Sequence, residues 1–184
     1  MTKPAGSNLS IMFSQSIEVL KKPSIATFER FERGGTVMDA GIYVAVTAAI
    51  AGIFGLIGGV NGFIAGILGT LAGFFAFSYI VYYLGKQRGG TGTFDEVAYT
   101  FSLFWVPIWL AVAVLTFLLV ITIIGIIFLP LLLLAAVAAS VYFAYLATQS
   151  SMNLTPASGL WTILILAGIG SWLASVVVNA IFRA

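Results

Sequence analysis

Residues Thr100–Ala147 read TFSLFWVPIWLAVAVLTFLLVITIIGIIFLPLLLLAAVAASVYFAYLA. This block contains no Asp, Glu, Lys, Arg or His, and the neutral stretch around it extends from Val97 to Phe182. A second neutral stretch covers Ala40–Gly85. A water-exposed surface needs charged groups; a bilayer penalises them. Across the chain 61% of residues are apolar and only 8% charged, where ordinary globular chains carry roughly 25% charged residues. The fold class is therefore all-α: a polytopic helical membrane protein.

A crossing takes about 20 mainly apolar residues. Thr100–Ala147 is about two crossings long, and Gly125 near its middle supplies the conformational freedom a tight turn needs. The polar run Thr148–Gly159 separates a further crossing, and Gly58-Gly59-Val60-Asn61-Gly62 divides the earlier stretch. Five transmembrane helices are predicted, over about residues 37–58, 62–84, 96–121, 126–147 and 160–181. Residues 1–35 form a cytoplasmic amphipathic segment, and residues 36–184 a five-helix membrane domain. The opening residues lack a short apolar core with a cleavage site, so no cleavable signal is expected.

Basic residues set the orientation. Lys3, Lys21, Lys22, Arg30 and Arg33 precede the first crossing, and Lys86 and Arg88 lie between the second and third. Five crossings from a cytoplasmic N-terminus put all of these inside and leave Arg183 outside, with the C-terminus, which is the positive-inside pattern. The same count gathers Tyr43, Tyr79, Tyr82, Tyr83, Tyr99, Tyr142 and Tyr145 towards the inner interface, as an aromatic belt does. The expected location is the bacterial cytoplasmic (inner) membrane, with the bilayer itself the first partner.

The segment before the crossings reads as two interfacial helices. Leu9, Met12, Phe13, Ile17 and Leu20 follow helical spacing, and Pro23 ends the run. Ile25, Phe28 and Phe31 recur every third residue in the next, with Glu29 and Arg33 positioned as an i,i+4 pair. Between crossings two and three, Gly85–Thr93 is glycine-rich, but no Gly-Lys-Ser/Thr follows and no strand precedes, so it is not a nucleotide loop. Thr93 and Glu96 form a capping box opening the third crossing. Asp39 suits the positive end of a helix dipole.

Small residues dominate the first two crossings. Gly55 and Gly59 are four apart, and Gly62, Gly66, Gly69 and Gly73 share one helix face. Such faces let backbones approach closely, within a hairpin or across a homodimer. Pro107 and Pro130 are the expected helix kinks, Pro130 unless it sits within the first turn of its helix.

Chemistry is largely excluded. With no Cys and no His there is no thiolate, imidazole or usual zinc chemistry, and no ionisable group lies deep in a crossing. No catalytic, cofactor-binding or metal-binding residue is assigned, and no cofactor is expected. Eight basic against six acidic residues give a net charge of +2, too sparse for nucleic acid. The surface best suited to a cytosolic protein partner comprises Phe28, Arg30, Arg33, Lys86, Arg88 and Phe94.

Several short motifs occur in a telling order. Lys22-Pro23-Ser24 through Phe28-Glu29-Arg30 precedes the first crossing; Gly89-Gly90-Thr91-Gly92-Thr93-Phe94 opens the third; Pro107 follows within it; Ser151–Ala157 precedes the last. In order and spacing these resemble the Yip-domain family (Ypt-interacting proteins) over about residues 20–182. The resemblance implies a cytosolic N-terminus, five crossings and a non-enzymatic role. Eukaryotic members bind prenylated Rab GTPases through a longer acidic N-terminal region with an Asp-Leu-Tyr-Gly-Pro-type motif, which is missing here, so the chain is similar to prokaryotic members. The function expected is that of a membrane scaffold or partner-binding, trafficking-type protein. The alternative is a passive channel or carrier for a small or lipidic solute.

Overall fold

The computed structural model describes residues 9–155 and 159–183. Among them every regular element is a helix: α1 (Leu9–Lys21), α2 (Ile25–Phe31), α3 (Val37–Gly55), α4 (Gly59–Gln87), α5 (Phe94–Ile121), α6 (Leu129–Met152) and α7 (Leu160–Arg183). Four continuous stretches are long and apolar enough to cross a membrane: Val37–Gln87, Phe94–Ile121, Gly125–Met152 and Leu160–Phe182.

The first stretch is broken by a 3-10 turn at Leu56–Gly58, after which α4 folds back along α3. Gly59 makes this reversal with φ 72°, a conformation that a Cβ disfavours. Its role is the turn, not the packing face expected for it, and nothing lies within 4 Å of where its Cβ would be. The backbones of Gly55 and Gly62 meet directly across the hairpin, and a Cβ at Gly66 would lie 2.5 Å from the Ala51 carbonyl oxygen. These pairings fix α3 and α4 as antiparallel.

The glycine face of α4 then changes partner. Gly69 and Gly73 pack against α7, not α3. The Ser175 hydroxyl donates to the Gly69 carbonyl (3.0 Å) and the Ser171 hydroxyl to the Gly73 carbonyl (2.8 Å). Asn179 Nδ2 donates to the Ser175 carbonyl (2.8 Å). Removing Cβ from α4 lets the serines reach a neighbouring backbone rather than their own.

A second hairpin joins α5 and α6 through a 3-10 segment, Ile123–Phe128. Gly125 sits in this turn, where a Cβ would strike the Leu119 carbonyl. Pro130 occupies the first turn of α6 and has no kinking role, because the N–H it lacks would have had no helical partner there. Pro107 does lie inside α5, where the Leu103 carbonyl loses its helical donor. At its other end α6 extends through Gln149, Ser150 and Ser151, which sequence alone assigns to a loop, and stops at Asn153 in the left-handed conformation (φ 52°). The Ser151 hydroxyl is satisfied by the Ala147 carbonyl (2.7 Å), so the serine continues the helix without an orphaned group.

These connections give the bundle two unlike ends. The turns at Leu56–Gly58 and Ile123–Phe128 lie at the far end. At the other end lie Lys21, Lys22, Arg30, Arg33, Lys86 and Arg88, together with α1 and α2; we call it the basic end. Lys3 and the Pro156–Ser158 part of the loop before α7 fall outside the described residues.

Candidate functional site

The basic end is assembled by capping. Thr36 caps α3: its hydroxyl accepts from the Asp39 N–H (3.3 Å), and its own N–H donates to Asp39 Oδ2 (2.8 Å). Thr93 and Glu96 repeat the arrangement at α5, as the sequence predicts. The two starts are tied together by the Val37 N–H, which donates to Asp95 Oδ1 (2.7 Å). All three carboxylates thus act as helix-start acceptors.

Both short helices dock onto this platform. Only part of the apolar face expected to lie on lipid stays exposed in α1. Met12, Ser16 and Val19 turn inwards and are fully buried, while Leu9, Phe13 and Ile17 remain exposed. Ser16 tolerates burial because its hydroxyl bonds the Tyr43 hydroxyl (3.0 Å). The Tyr99 hydroxyl donates to Gln15 Oε1 (2.7 Å). Tyr43 and Tyr99 are therefore anchors for α1 rather than belt residues; Tyr79, Tyr83 and Tyr142 are the ones half exposed.

Helix α2 inserts Phe28 between α5 and α6. Its ring meets Phe104 edge-on at 6.2 Å and Phe143 at 6.5 Å, and is fully buried. Phe28 is thus removed from the partner surface proposed for it: an aromatic ring at this interface gains more by burial than by exposure. Arg33 does not pair with Glu29. It reaches Glu96 (3.2 Å) and, more distantly, Glu32 (3.8 Å), because α2 ends beside the start of α5. Arg30 pairs with Glu18, joining α2 to α1.

Glu32 was not singled out from sequence, yet it is the most buried acid here, 6% exposed. Its Oε2 accepts from the Ser150 hydroxyl (2.8 Å). Burial pushes its carboxyl above the ordinary value; the Ser150 hydrogen bond opposes this, Glu96 adds to it, Arg33 opposes it and Glu29 adds to it.

The glycine-rich loop closes the platform. Gly89 adopts φ 85°, and Gly92 lies so close to the Ser151 carbonyl that a Cβ would collide with it. The Thr91 N–H donates to the Met152 carbonyl (3.1 Å) and Asn153 Nδ2 to the Thr91 hydroxyl (2.9 Å). Lys86 donates to the Thr91 carbonyl (3.0 Å) and lies 5.8 Å over the Tyr82 ring. Phe94 packs against Tyr79 and Tyr82 and is half buried. Of the residues proposed for a partner surface, Arg30, Arg33, Lys86 and Arg88 are exposed, while Phe28 and Phe94 serve packing.

A second feature lies within the bundle. A half-open cavity of about 820 Å³ is lined by α3–α7, with mainly apolar walls that include Trp105, Trp109 and Trp172. Phe74, Phe101 and Phe104, each nearly fully buried, are among the residues that line it. Towards the far end α5 and α6 bury few residues. Thr47 and Ser140 lie in the walls, and their buried hydroxyl oxygens have no hydrogen-bond partner. Nothing in the sequence pattern announces this cavity.

A family model described as the Yip1 domain matches residues 17–177. The chain belongs to the Yip1 domain family. Yip1 domain proteins are generally non-enzymatic membrane-trafficking proteins. The matched region begins inside α1 and ends inside α7, so it takes in the end of α1, all of α2, both hairpins and most of the cavity lining. Comparisons with curated proteins and with solved structures give no match.

Proposed function

We propose that this Yip1 domain protein is a non-enzymatic membrane scaffold that presents the basic end of its bundle to a cytosolic protein partner. The observation that carries this reading is the fixed seating of α2. Phe28 and Glu32 are buried, while Arg30 and Arg33 from the same short segment stay exposed, as Lys86 and Arg88 do at the same end of the bundle. A preorganised surface of alternating charge, with Arg30 paired to Glu18 and Arg33 to Glu96, favours a partner of complementary charge pattern and sets its orientation.

Val37–Gln87 supplies two crossings because its halves are antiparallel, giving five in all. The positive-inside pattern then supports a cytoplasmic basic end, a C-terminus outside, and placement in the bacterial inner membrane. Residues 1–35 act as the partner-facing unit and 36–184 as the membrane unit. The glycine faces support intramolecular packing over a homodimer, since Gly55, Gly62, Gly66, Gly69 and Gly73 all meet neighbours within the chain. A passive conduit is the weaker reading, because no ionisable side chain lines the cavity and its walls are mainly apolar.

The chain has no cysteine, so single cysteines at Ser14 and Val60 are unique topology reporters. Labelling of Ser14→Cys from the cytoplasm only, and of Val60→Cys from outside only, is expected. The partner reading requires a stoichiometric cytosolic protein that copurifies with the native protein and is lost in Arg30→Glu/Arg33→Glu. Copurification unaffected by that double change would remove this surface from consideration.

A further inference from the structure

We propose that α1 binds the anionic phospholipids of the leaflet at the basic end. Its outward apolar stripe enters the acyl boundary, and Lys21 and Lys22 hold the headgroups. The partner-facing surface is made by Arg30 and Arg33 of the following segment, so this use of α1 is separate from it.

Helix α1 divides into three faces at about 100° per residue. Met12, Ser16 and Val19 share one face and are fully buried against the bundle. Leu9, Phe13 and Ile17, each four residues from the last, form the next and are 44%, 50% and 38% exposed. Ser10, Ser14 and Glu18 form the third, where Arg30 of α2 pairs with Glu18. Ile11 falls outside the stripe, between Glu18 and Gln15. Packing thus uses one half of the apolar side of α1 and leaves the other half bare, away from its polar row.

What covers the stripe follows from where α1 is seated. The Tyr99 hydroxyl donates to Gln15, and Ser16 bonds the Tyr43 hydroxyl. Tyr99 lies five residues into α5 and Tyr43 six residues into α3, about 7–9 Å along each axis. Their side chains lean back towards the helix starts. Helix α1 therefore lies alongside the opening turns of two spanning helices, not beyond their ends. Interfacial helices bury an apolar face by about 5–10 Å into the boundary of headgroups and acyl chains. Met38 and Ile42, on the opening turns of α3, are exposed too, so the bundle already presents an apolar surface at this level.

Charge selects the lipid. Lys21 takes the next i,i+4 place in the Leu9–Phe13–Ile17 row, and Lys22 follows it. Both are exposed, and among the described residues neither ammonium has an ion pair. Neighbouring acids are engaged elsewhere: Glu18 with Arg30, Glu96 with Arg33 and the start of α5, Asp39 with Thr36. A lysine stem lies along apolar surface while its ammonium reaches the polar layer. Each lysine held there favours anionic over zwitterionic lipid by up to about fivefold.

The test uses the full chain in liposomes of phosphatidylcholine and phosphatidylglycerol. The chain has no cysteine, so Phe13→Cys, Ile17→Cys and Ser14→Cys each carry one nitroxide label. Labels at 13 and 17 should be accessible to oxygen and protected from a water-soluble nickel chelate, and the label at 14 the reverse. Chelate access at 13 and 17 equal to that at 14 would put the stripe in water and overturn the proposal. Dipolar broadening at 13 would put a second copy of the chain there and overturn it equally. A fluorophore at Ile17→Cys, quenched by nitroxide-labelled phosphatidylglycerol or phosphatidylcholine, reads the headgroup preference. Phosphatidylglycerol should quench at about fivefold lower mole fraction. The preference should vanish in Lys21→Gln/Lys22→Gln and survive Lys86→Gln. Equal quenching by both lipids, or a preference untouched by the Lys21→Gln/Lys22→Gln change, would overturn the assignment.

Discussion

Replacing Phe28 by alanine should release α1 and α2 from the bundle while leaving the bundle intact. Phe28 is fully buried, and its ring makes two edge-on contacts, with Phe104 at 6.2 Å and Phe143 at 6.5 Å. Truncating a buried Phe to Ala costs about 3–5 kcal/mol. The aromatic pairs account for roughly 0.5–1.5 kcal/mol each beyond area burial. The cavity left behind opens at an interface, where α2 can lift away instead of collapsing, so we take the lower half, about 3–4 kcal/mol. At 1.4 kcal/mol per factor of ten, the lifted population of α2 rises by two to three orders of magnitude. Helix α1 follows in part, since Arg30–Glu18 joins the two. Amide hydrogen exchange of residues 9–33 in nanodiscs reads this directly, with α4 and α7 as internal reference. Arg33→Ala is the comparison. Its side chain is 79% exposed, and exposed ion pairs contribute about 0–1 kcal/mol, so protection should fall less than about fivefold. If Phe28→Ala altered protection no more than Arg33→Ala, Phe28 would not be what seats α2. If α4 and α7 lost protection equally, the segment would not be separable from the bundle.

The pH dependence of the same docking follows from Glu32. Its carboxyl is raised by burial, so the docked state favours the protonated form. Between the unfolded value and the raised docked value, the docked state binds more protons, and docking weakens as pH rises through that window. Glu32→Gln, which keeps an acceptor for Ser150, should flatten the profile and strengthen docking at neutral pH, measured by proteolysis at Lys21–Lys22. In the hairpin, Gly66→Leu should destabilise by about 1–3 kcal/mol, because its side chain meets the Ala51 backbone rather than a yielding side chain. Gly168→Ala, in open space, should leave the thermal midpoint in detergent unchanged or raise it. Ser171→Ala and Ser175→Ala should each cost only about 0.6 kcal/mol, the usual value of an interhelical hydrogen bond in a membrane, read by the same melting assay.

Some of this architecture is legible before any coordinates. The absence of charge from Val97 to Phe182 is enough for membrane crossings, because ionisable groups are excluded from hydrocarbon whatever the fold. Thr93 with Glu96 marks a helix start because capping is local in sequence. The gathering of basic residues at one end follows from counting alone. The partner of each face does not. In water, apolar periodicity marks the buried side of a helix. In lipid, the outward side is equally apolar, as Ile165, Ile169 and Leu173 on α7 are, so the pattern carries little direction. The single glycine row of α4 is therefore divided between α3, at Gly62 and Gly66, and α7, at Gly69 and Gly73, only by where those helices pack along it. Ser171 and Ser175 find carbonyls of α4 for the same reason. Phe28 and Glu32 turn inwards, and Arg30 and Arg33 outwards, because α2 meets the ends of α5 and α6, a long-range contact that short-range spacing does not encode. The charge pattern decides that the chain enters a bilayer; only tertiary packing decides which small residues touch, which hydroxyls are left over, and where the space between helices is kept.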